Sequence, residues 1–198
     1  SLCINDKNND GNSPIHLATQ MGFKDIVSLL LKFKCDVNIL NSDGLTPLYV
    51  ATQKGFNDII QILIQNNANP NLADVDNDCP LYIACQQSNT AIVSLLLESP
   101  LLNINFKNFK GITPLFICCE QGSVDCAKLL LSNTKIETDE PKNNGRTPLW
   151  ISCFFGHYNI VKLLINHSNR MNELNIKNGI INLNRTGNKG FTPLFVAA

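Results

Sequence analysis

The sequence has no excess of either charge. Sixteen lysines and arginines balance sixteen aspartates and glutamates, and charged residues make up only 16% of the 198-residue chain. A nucleic-acid binder needs a basic face to displace counterions, and here lysine and arginine are scattered, so no nucleic-acid partner is expected. Long apolar runs are also missing. Nothing approaches the roughly 20 residues that span a bilayer, so no membrane insertion is expected. The opening Ser1-Leu2-Cys3-Ile4-Asn5-Asp6 has neither the basic nor the apolar region of a secretory leader. No glycine-rich phosphate loop is found. Apolar residues, at 44%, are too many for a chain disordered by composition.

What is present is a repeat. One phrase occurs six times: Ser13-Pro14-Ile15-His16-Leu17-Ala18, Thr46-Pro47-Leu48-Tyr49-Val50-Ala51, Cys79-Pro80-Leu81-Tyr82-Ile83-Ala84, Thr113-Pro114-Leu115-Phe116-Ile117-Cys118, Thr147-Pro148-Leu149-Trp150-Ile151-Ser152 and Thr192-Pro193-Leu194-Phe195-Val196-Ala197. Successive copies start 33, 33, 34, 34 and 45 residues apart. The Ser or Thr suits a helix N-cap, and proline suits the first helical position. Gly11, Gly44, Gly111, Gly145 and Gly190 precede the cap as turn residues, and Gly22, Gly55, Gly122 and Gly156 follow the short helix as a stop.

A more apolar segment follows each stop: Ile26-Val27 with Leu29-Leu30-Leu31, Ile59-Ile60 with Ile62-Leu63-Ile64, Ile92-Val93 with Leu95-Leu96-Leu97, Cys126-Ala127 with Leu129-Leu130-Leu131, and Ile160-Val161 with Leu163-Leu164-Ile165. This pattern fits a helix packed between its partner and neighbouring repeats. Asp25, Asp58 and Asp125 sit where the helix dipole favours an anion. Asparagine recurs in the following polar stretch, as in Asp36-Val37-Asn38, Asn69-Pro70-Asn71 and Asn103-Ile104-Asn105. Its abundance fits biased genome composition as well as selection.

This unit resembles the ankyrin repeat, whose mark is a Thr-Pro-Leu-His helix start on a period near 33. The resemblance covers nearly the whole chain. It implies an all-α solenoid of stacked helix-turn-helix units with projecting β-hairpin-like loops. The expected organisation is one array over 1–198: a partial repeat 1–7, repeats 8–40, 41–73, 74–107, 108–141 and 142–186, the last with an inserted loop 168–182, and a partial repeat 187–198. Histidine stands only at His16; Tyr49, Tyr82, Phe116, Trp150 and Phe195 replace it, so the hydrogen bonds of that histidine are not assured elsewhere. Neither end has the polar outer face of a capping repeat, so the chain is expected to be a piece of a longer array, with Leu194 and Val196 short of neighbours.

Two stretches break the pattern. In the third repeat Asn77, Cys79 and Ser88 replace the turn glycine, the capping threonine and the stop glycine, which predicts a locally soft repeat. After Ile165 about 11 extra residues precede Gly190, within a segment carrying Arg170, Lys177, Arg185 and Lys189. It reads either as a solvated loop or as a finger that contacts a partner. Asn166-His167-Ser168 and Asn184-Arg185-Thr186 match the glycosylation triplet, which matters only in a secreted protein.

No catalytic set is legible, and no enzyme, metal or cofactor is expected. Cys85, Cys119 and Cys153 recur in one slot of the short helix. Stacked helices lie roughly 8–10 Å apart, too far for these three to share a zinc ion or a disulfide. Cys118 and Cys126 fall on core positions, while Cys3 and Cys35 lie in loops and should be more exposed. This usage fits an intracellular, reducing, cytoplasmic compartment. His16, His157 and His167 lack a nucleophile and oxyanion donors arranged around them.

The resemblance implies binding of another protein through the concave side, made of loop tips and the exposed ends of the short helices. The candidates are Gln20 with Met21, Gln53 with Lys54, Gln86 with Gln87, Glu120 with Gln121, and the adjacent Phe154 and Phe155. The loop tips add Asp43, Asp76, Phe109, Lys110, Asn144 and Arg146. Two adjacent phenylalanines cannot both face the core of so short a helix. Beside Arg146 and Trp150 they form a hot-spot composition, unless the insertion folds over them as a lid. Trp150 itself reads as a stacking contact between repeats. The expected function is a protein-interaction scaffold anchored on Phe154, Phe155 and Arg146; the alternative is a targeting or substrate-recruiting arm of a larger enzyme.

Overall fold

The computed structural model describes residues 4–188 and 190–197. Leu2, Cys3, Lys189 and Ala198, which entered the reading of the sequence, lie outside the described residues. Among those described, the helices are α1 (Pro14–Gln20), α2 (Lys24–Lys32), α3 (Pro47–Lys54), α4 (Asn57–Gln65), α5 (Pro80–Gln86), α6 (Thr90–Leu97), α7 (Pro114–Gln121), α8 (Val124–Leu131), α9 (Pro148–Phe154), α10 (Tyr158–Glu173) and α11 (Pro193–Ala197). A 3-10 turn covers Lys177–Gly179, and no described residue is in a strand. Each repeated phrase opens a short helix, and each apolar segment forms the second helix of a pair.

The chain divides into two compact units. The first is Ser1–Ala84 with Ala91–Asn103, the second Cys85–Thr90 with Ile104–Ala198. In the first, α1 packs on α2 and α3, α3 on α4, and α2 on α4. In the second, α7 packs on α8 and α9, α9 on α10 and α11, and α8 on α10.

The caps explain why the short helices start where they do. The hydroxyls of Thr46, Thr113 and Thr147 accept from the backbone N–H of Tyr49, Phe116 and Trp150. These hydroxyls are buried, so an unfilled N–H there would be costly. At Cys79 the sulfur takes the same N–H, from Tyr82, and burial pushes the thiol up to about 11. Pattern and burial agree along the second helices: Ile59 is 1% exposed, and Ile92 and Ile160 are 0% exposed. Ile26 in α2, which packs on α1 and α4, is 47% exposed.

The projecting loops are tight turns held by side-chain amides and carboxylates. The Oδ1 atoms of Asn8, Asn41, Asp74 and Asn108 each accept from backbone N–H groups two and four residues later. A second series links neighbouring loops. Asn5, Asn38 and Asn71 in the first unit accept through Oδ1 from the N–H of Asp36, Asn69 and Asn103. Asn105 in the second unit accepts likewise from Glu137. The recurring asparagines thus have a structural reason that composition alone does not supply.

The insertion differs from the expected loop. The second helix of its repeat does not stop near Ile165 but runs on to Glu173, because Leu164, His167, Ser168 and Met171 continue one buried stripe. The chain then returns along that stripe. Ile181 N–H donates to Ser168 Oγ at 2.9 Å, and Gly179 is buried against Met171. Arg185 pins the far end by donating to the carbonyl oxygen of Asp139 at 2.9 Å and to its carboxylate at 3.0 Å.

Candidate partner-binding surface

In the second unit the loop tips are tied to one another through the backbone. Asn143 N–H donates to the Lys110 carbonyl at 3.0 Å, and Asn188 N–H donates to the Asn144 carbonyl at 3.0 Å. Asn143 also donates through Nδ2 to the carbonyl of Phe109, whose ring is 70% exposed. The tip residues Phe109 and Lys110 therefore project from a held turn. Glu120 and Gln121 close α7, with Gln121 exposed and Glu120 half-buried. Gln86 and Gln87 are exposed at the end of α5. Gln53 and Lys54 are exposed at the end of α3 in the first unit, as are Gln20 and Met21 after α1.

Helix α9 carries the aromatic group. The Thr147 cap sets its first turn, placing Trp150 one turn in and Phe154 at its end. Trp150 is 4% exposed, and its indole N–H donates to the Phe191 carbonyl at 2.9 Å. Phe154 stacks on it with centroids 5.3 Å apart. The Arg146 guanidinium lies 4.3 Å from the Trp150 ring centre and 5.8 Å from that of Phe154. Arg146, Trp150 and Phe154 therefore form one stack.

Phe155 turns the other way. It touches Phe154 edge-on and stacks on His157 at 5.9 Å. His157 donates through Nε2 to the Glu120 carbonyl at 3.1 Å. This ring occupies the space in front of Gly122, whose φ of +73° already favours glycine; a Cβ there would meet the imidazole at 2.9 Å. Phe154 and Phe155 are each half-exposed. The insertion contacts α10 and residues 131–139, and its last residues, Gly187 and Asn188, lie against Asn144 and Arg146.

A cavity of about 410 Å³ opens beside the stack. Arg146, Trp150 and Phe154 form one wall; Gly187, Phe191 and Phe195 form the other. Phe191 and Phe195 are themselves stacked at 4.7 Å. Phe155 does not line it. The sequence did not single out Gly187, Phe191 or Phe195 as site residues. One signal was present: five residues before each cap stand Asn8, Asn41, Asp74, Asn108 and Lys142, and then Gly187.

The cysteines and histidines form no reactive centre. None of the described cysteines is in a disulfide. Cys35 was expected to be more exposed but is buried, because Cys35 N–H donates back to Leu30 O and draws the residue under the end of α2. Burial pushes Cys119 up to about 12. Cys118 shares hydrogen bonds with Cys126, which lowers its pKa, and with Cys85, which raises it together with burial; the net direction is well upward. Such thiols stay protonated and are poor nucleophiles. His167 is buried on α10 with Nε2 unpartnered, and burial, then Arg170, hold its pKa low. No group of three or more metal-binding side chains occurs among the described residues, and no described helix is long and apolar enough to cross a membrane.

The family model described as ankyrin repeats (3 copies) matches residues 2–74, 68–140 and 134–198. No curated protein matches the chain.

Proposed function

The chain belongs to the ankyrin repeat family, whose members are generally protein-interaction modules, and on that premise we propose that it is a scaffold binding a partner protein through its loop tips and short-helix ends. The anchors are Arg146, Phe154 and Phe155, with Trp150 behind them. The carrying observation is the Arg146–Trp150–Phe154 stack, which leaves two phenylalanines half-exposed at the end of one helix. Aromatic side chains and arginine held rigid on a surface have the composition of an interface hot spot. Stacking fixes their rotamers beforehand, which lowers the entropy lost on binding. Glu120, Gln121, Phe109, Lys110, Gln86 and Gln87 supply further contacts in the second unit, and Gln53 and Lys54 in the first. Described cysteines outside any disulfide suit a reducing, cytoplasmic location.

The test compares proteins captured by the wild-type chain with those captured by Phe154→Ser, Phe155→Ser and the double variant. Circular dichroism and thermal midpoint serve as controls of folding. Loss of the same partner from the double variant supports the proposal, with an expected cost of about 2 kcal/mol or more for a true anchor. Equal capture by all four chains overturns it.

A further inference from the structure

The cavity beside α9 opens where its lining includes a glycine, Gly187. In the slot five positions before the cap, two other repeats carry a side chain that reaches the aromatic slot of the preceding repeat. Asp74 accepts from the Tyr49 hydroxyl at 2.6 Å. Lys142 places its ammonium 5.1 Å from the centre of the Phe116 ring. At Trp150 the corresponding residue is Gly187, which has no side chain to offer. A Cβ built there would stand 3.4 Å from Arg146 Cγ and 3.7 Å from Trp150 Nε1. The space left open is the cavity, and Arg146 from the same repeat covers the indole instead.

The chemistry of the lining is one-sided. It is aromatic on two walls, with the amides Asn144 and Asn188 at its rim and Arg146 as its charge; no carboxylate lines it. Arg146 makes no ion pair among the described residues. A guanidinium resting on an indole face keeps its in-plane N–H donors free at the edge. Those donors match a planar carboxylate. The volume is in the range of small ligand sites, enough for one large side chain and its neighbour.

We propose that this cavity takes an extended segment of the partner protein in which an aspartate or glutamate lies beside a large apolar side chain, the apolar group entering between the aromatic walls and the carboxylate pairing with Arg146. The proposal rests on reading this face as the partner surface. Phe155, outside the cavity, contacts a neighbouring part of the same partner.

Random heptapeptides displayed on phage are selected on the wild-type chain and counter-selected on Phe154→Ser. Enriched peptides are then synthesised with acetylated and amidated ends, each beside a copy in which the acid is replaced by its amide. Trp150 is the chain's single tryptophan and lines the cavity, so its emission reports occupancy directly. Enriched peptides are expected to carry Asp or Glu within two positions of Phe, Tyr, Trp, Leu or Met. The amide copy should bind wild type about tenfold more weakly, the size of one charge-assisted hydrogen bond. It should bind Arg146→Gln no differently from the acid copy. Gly187→Val, which leaves the net charge unchanged and places side-chain carbons in the cavity against Arg146 Cγ and Trp150 Nε1, should weaken peptide binding and the emission change at least tenfold.

Peptides that depend on Phe154 but carry no acid, or tolerate its amide, overturn the acidic chemistry and leave the partner surface standing. Binding that survives Gly187→Val overturns the cavity as the seat. If no peptide separates wild type from Phe154→Ser, both the chemistry and the partner surface fall.

Discussion

His16, Tyr49, Phe116 and Trp150 fill one slot and meet the next repeat through a ring N–H at His16 and Trp150, a phenol hydroxyl at Tyr49 and an aromatic face at Phe116. His16 donates through Nε2 to the carbonyl of Leu45, at 3.0 Å, while its Nδ1 accepts from Ser13. Trp150 repeats that bond with its indole N–H: Phe191 stands immediately before Thr192, as Leu45 stands before Thr46. The loss of histidine therefore did not remove the contact at Trp150, a substitution whose effect the sequence alone could not disclose. Composition shows which residue fills a slot but not which atoms of the following turn it meets. His16 also makes stability depend on pH. Burial holds its pKa below the unfolded value of 6.5, and the backbone bond to Leu45 only partly offsets this. The neutral folded imidazole contributes stability fully above 6.5. As pH falls, the unfolded chain takes up the proton first, and that stability is lost down through the lowered folded value. His167 titrates in the same direction. His16→Tyr, which copies the residue at 49, should flatten part of the loss as pH falls below 6.5 in urea unfolding. An unchanged slope would remove His16 as a cause.

At the scale of the element, the third repeat keeps its helices despite three departures. Cys79 still fills the cap through sulfur, a weaker acceptor than a hydroxyl oxygen. Asn77 and Ser88 take φ of 62° and 55°, the left-handed region where the other repeats place glycine. The helix pair was legible because the apolar spacing of Ile92, Val93 and Leu96 survives, and all three are fully buried. The local cost was legible too, because it lies in the turn residues themselves. Helix α10 was not. Its end was read by analogy with repeats whose second helix stops near the same place, although no glycine or proline follows Ile165 until Gly179. The continued stripe of Leu164, His167, Ser168 and Met171 was the available sign. Cys79→Thr, Asn77→Gly and Ser88→Gly should each raise stability, by about 0.5–1 kcal/mol, through a better cap and relief of left-handed strain. Amide exchange should show the gain concentrated in α5 and α6. A gain spread evenly over all helices, or none, would contradict this account.

At the scale of the molecule, the two compact units part company inside that same third repeat, at 84/85, 90/91 and 103/104. In a repeat array, stability is close to a sum of repeat and interface terms, so a weak repeat is where cooperativity fails first. Trp150 lies in the second unit, so its fluorescence follows that unit alone, while far-UV circular dichroism follows the helices of both. Each unit has a fully buried centre, Leu115, Phe116, Cys118 and Cys119 in the second and Leu48, Ala51, Ile60 and Leu63 in the first, and in the second unit Tyr158, Leu174 and Leu194 are exposed. The first unit leaves Leu17, Ile26, Leu29 and Phe33 exposed on α1 and the segment through the end of α2, a loss of burial with no counterpart in α3 and α4. The circular dichroism and Trp150 transitions in urea should therefore have different midpoints. Combining the three substitutions of the third repeat should draw the midpoints together without moving the Trp150 curve much. Coincident transitions in the wild-type chain would mean that the weak caps do not break cooperativity, and that the array folds as one unit despite them.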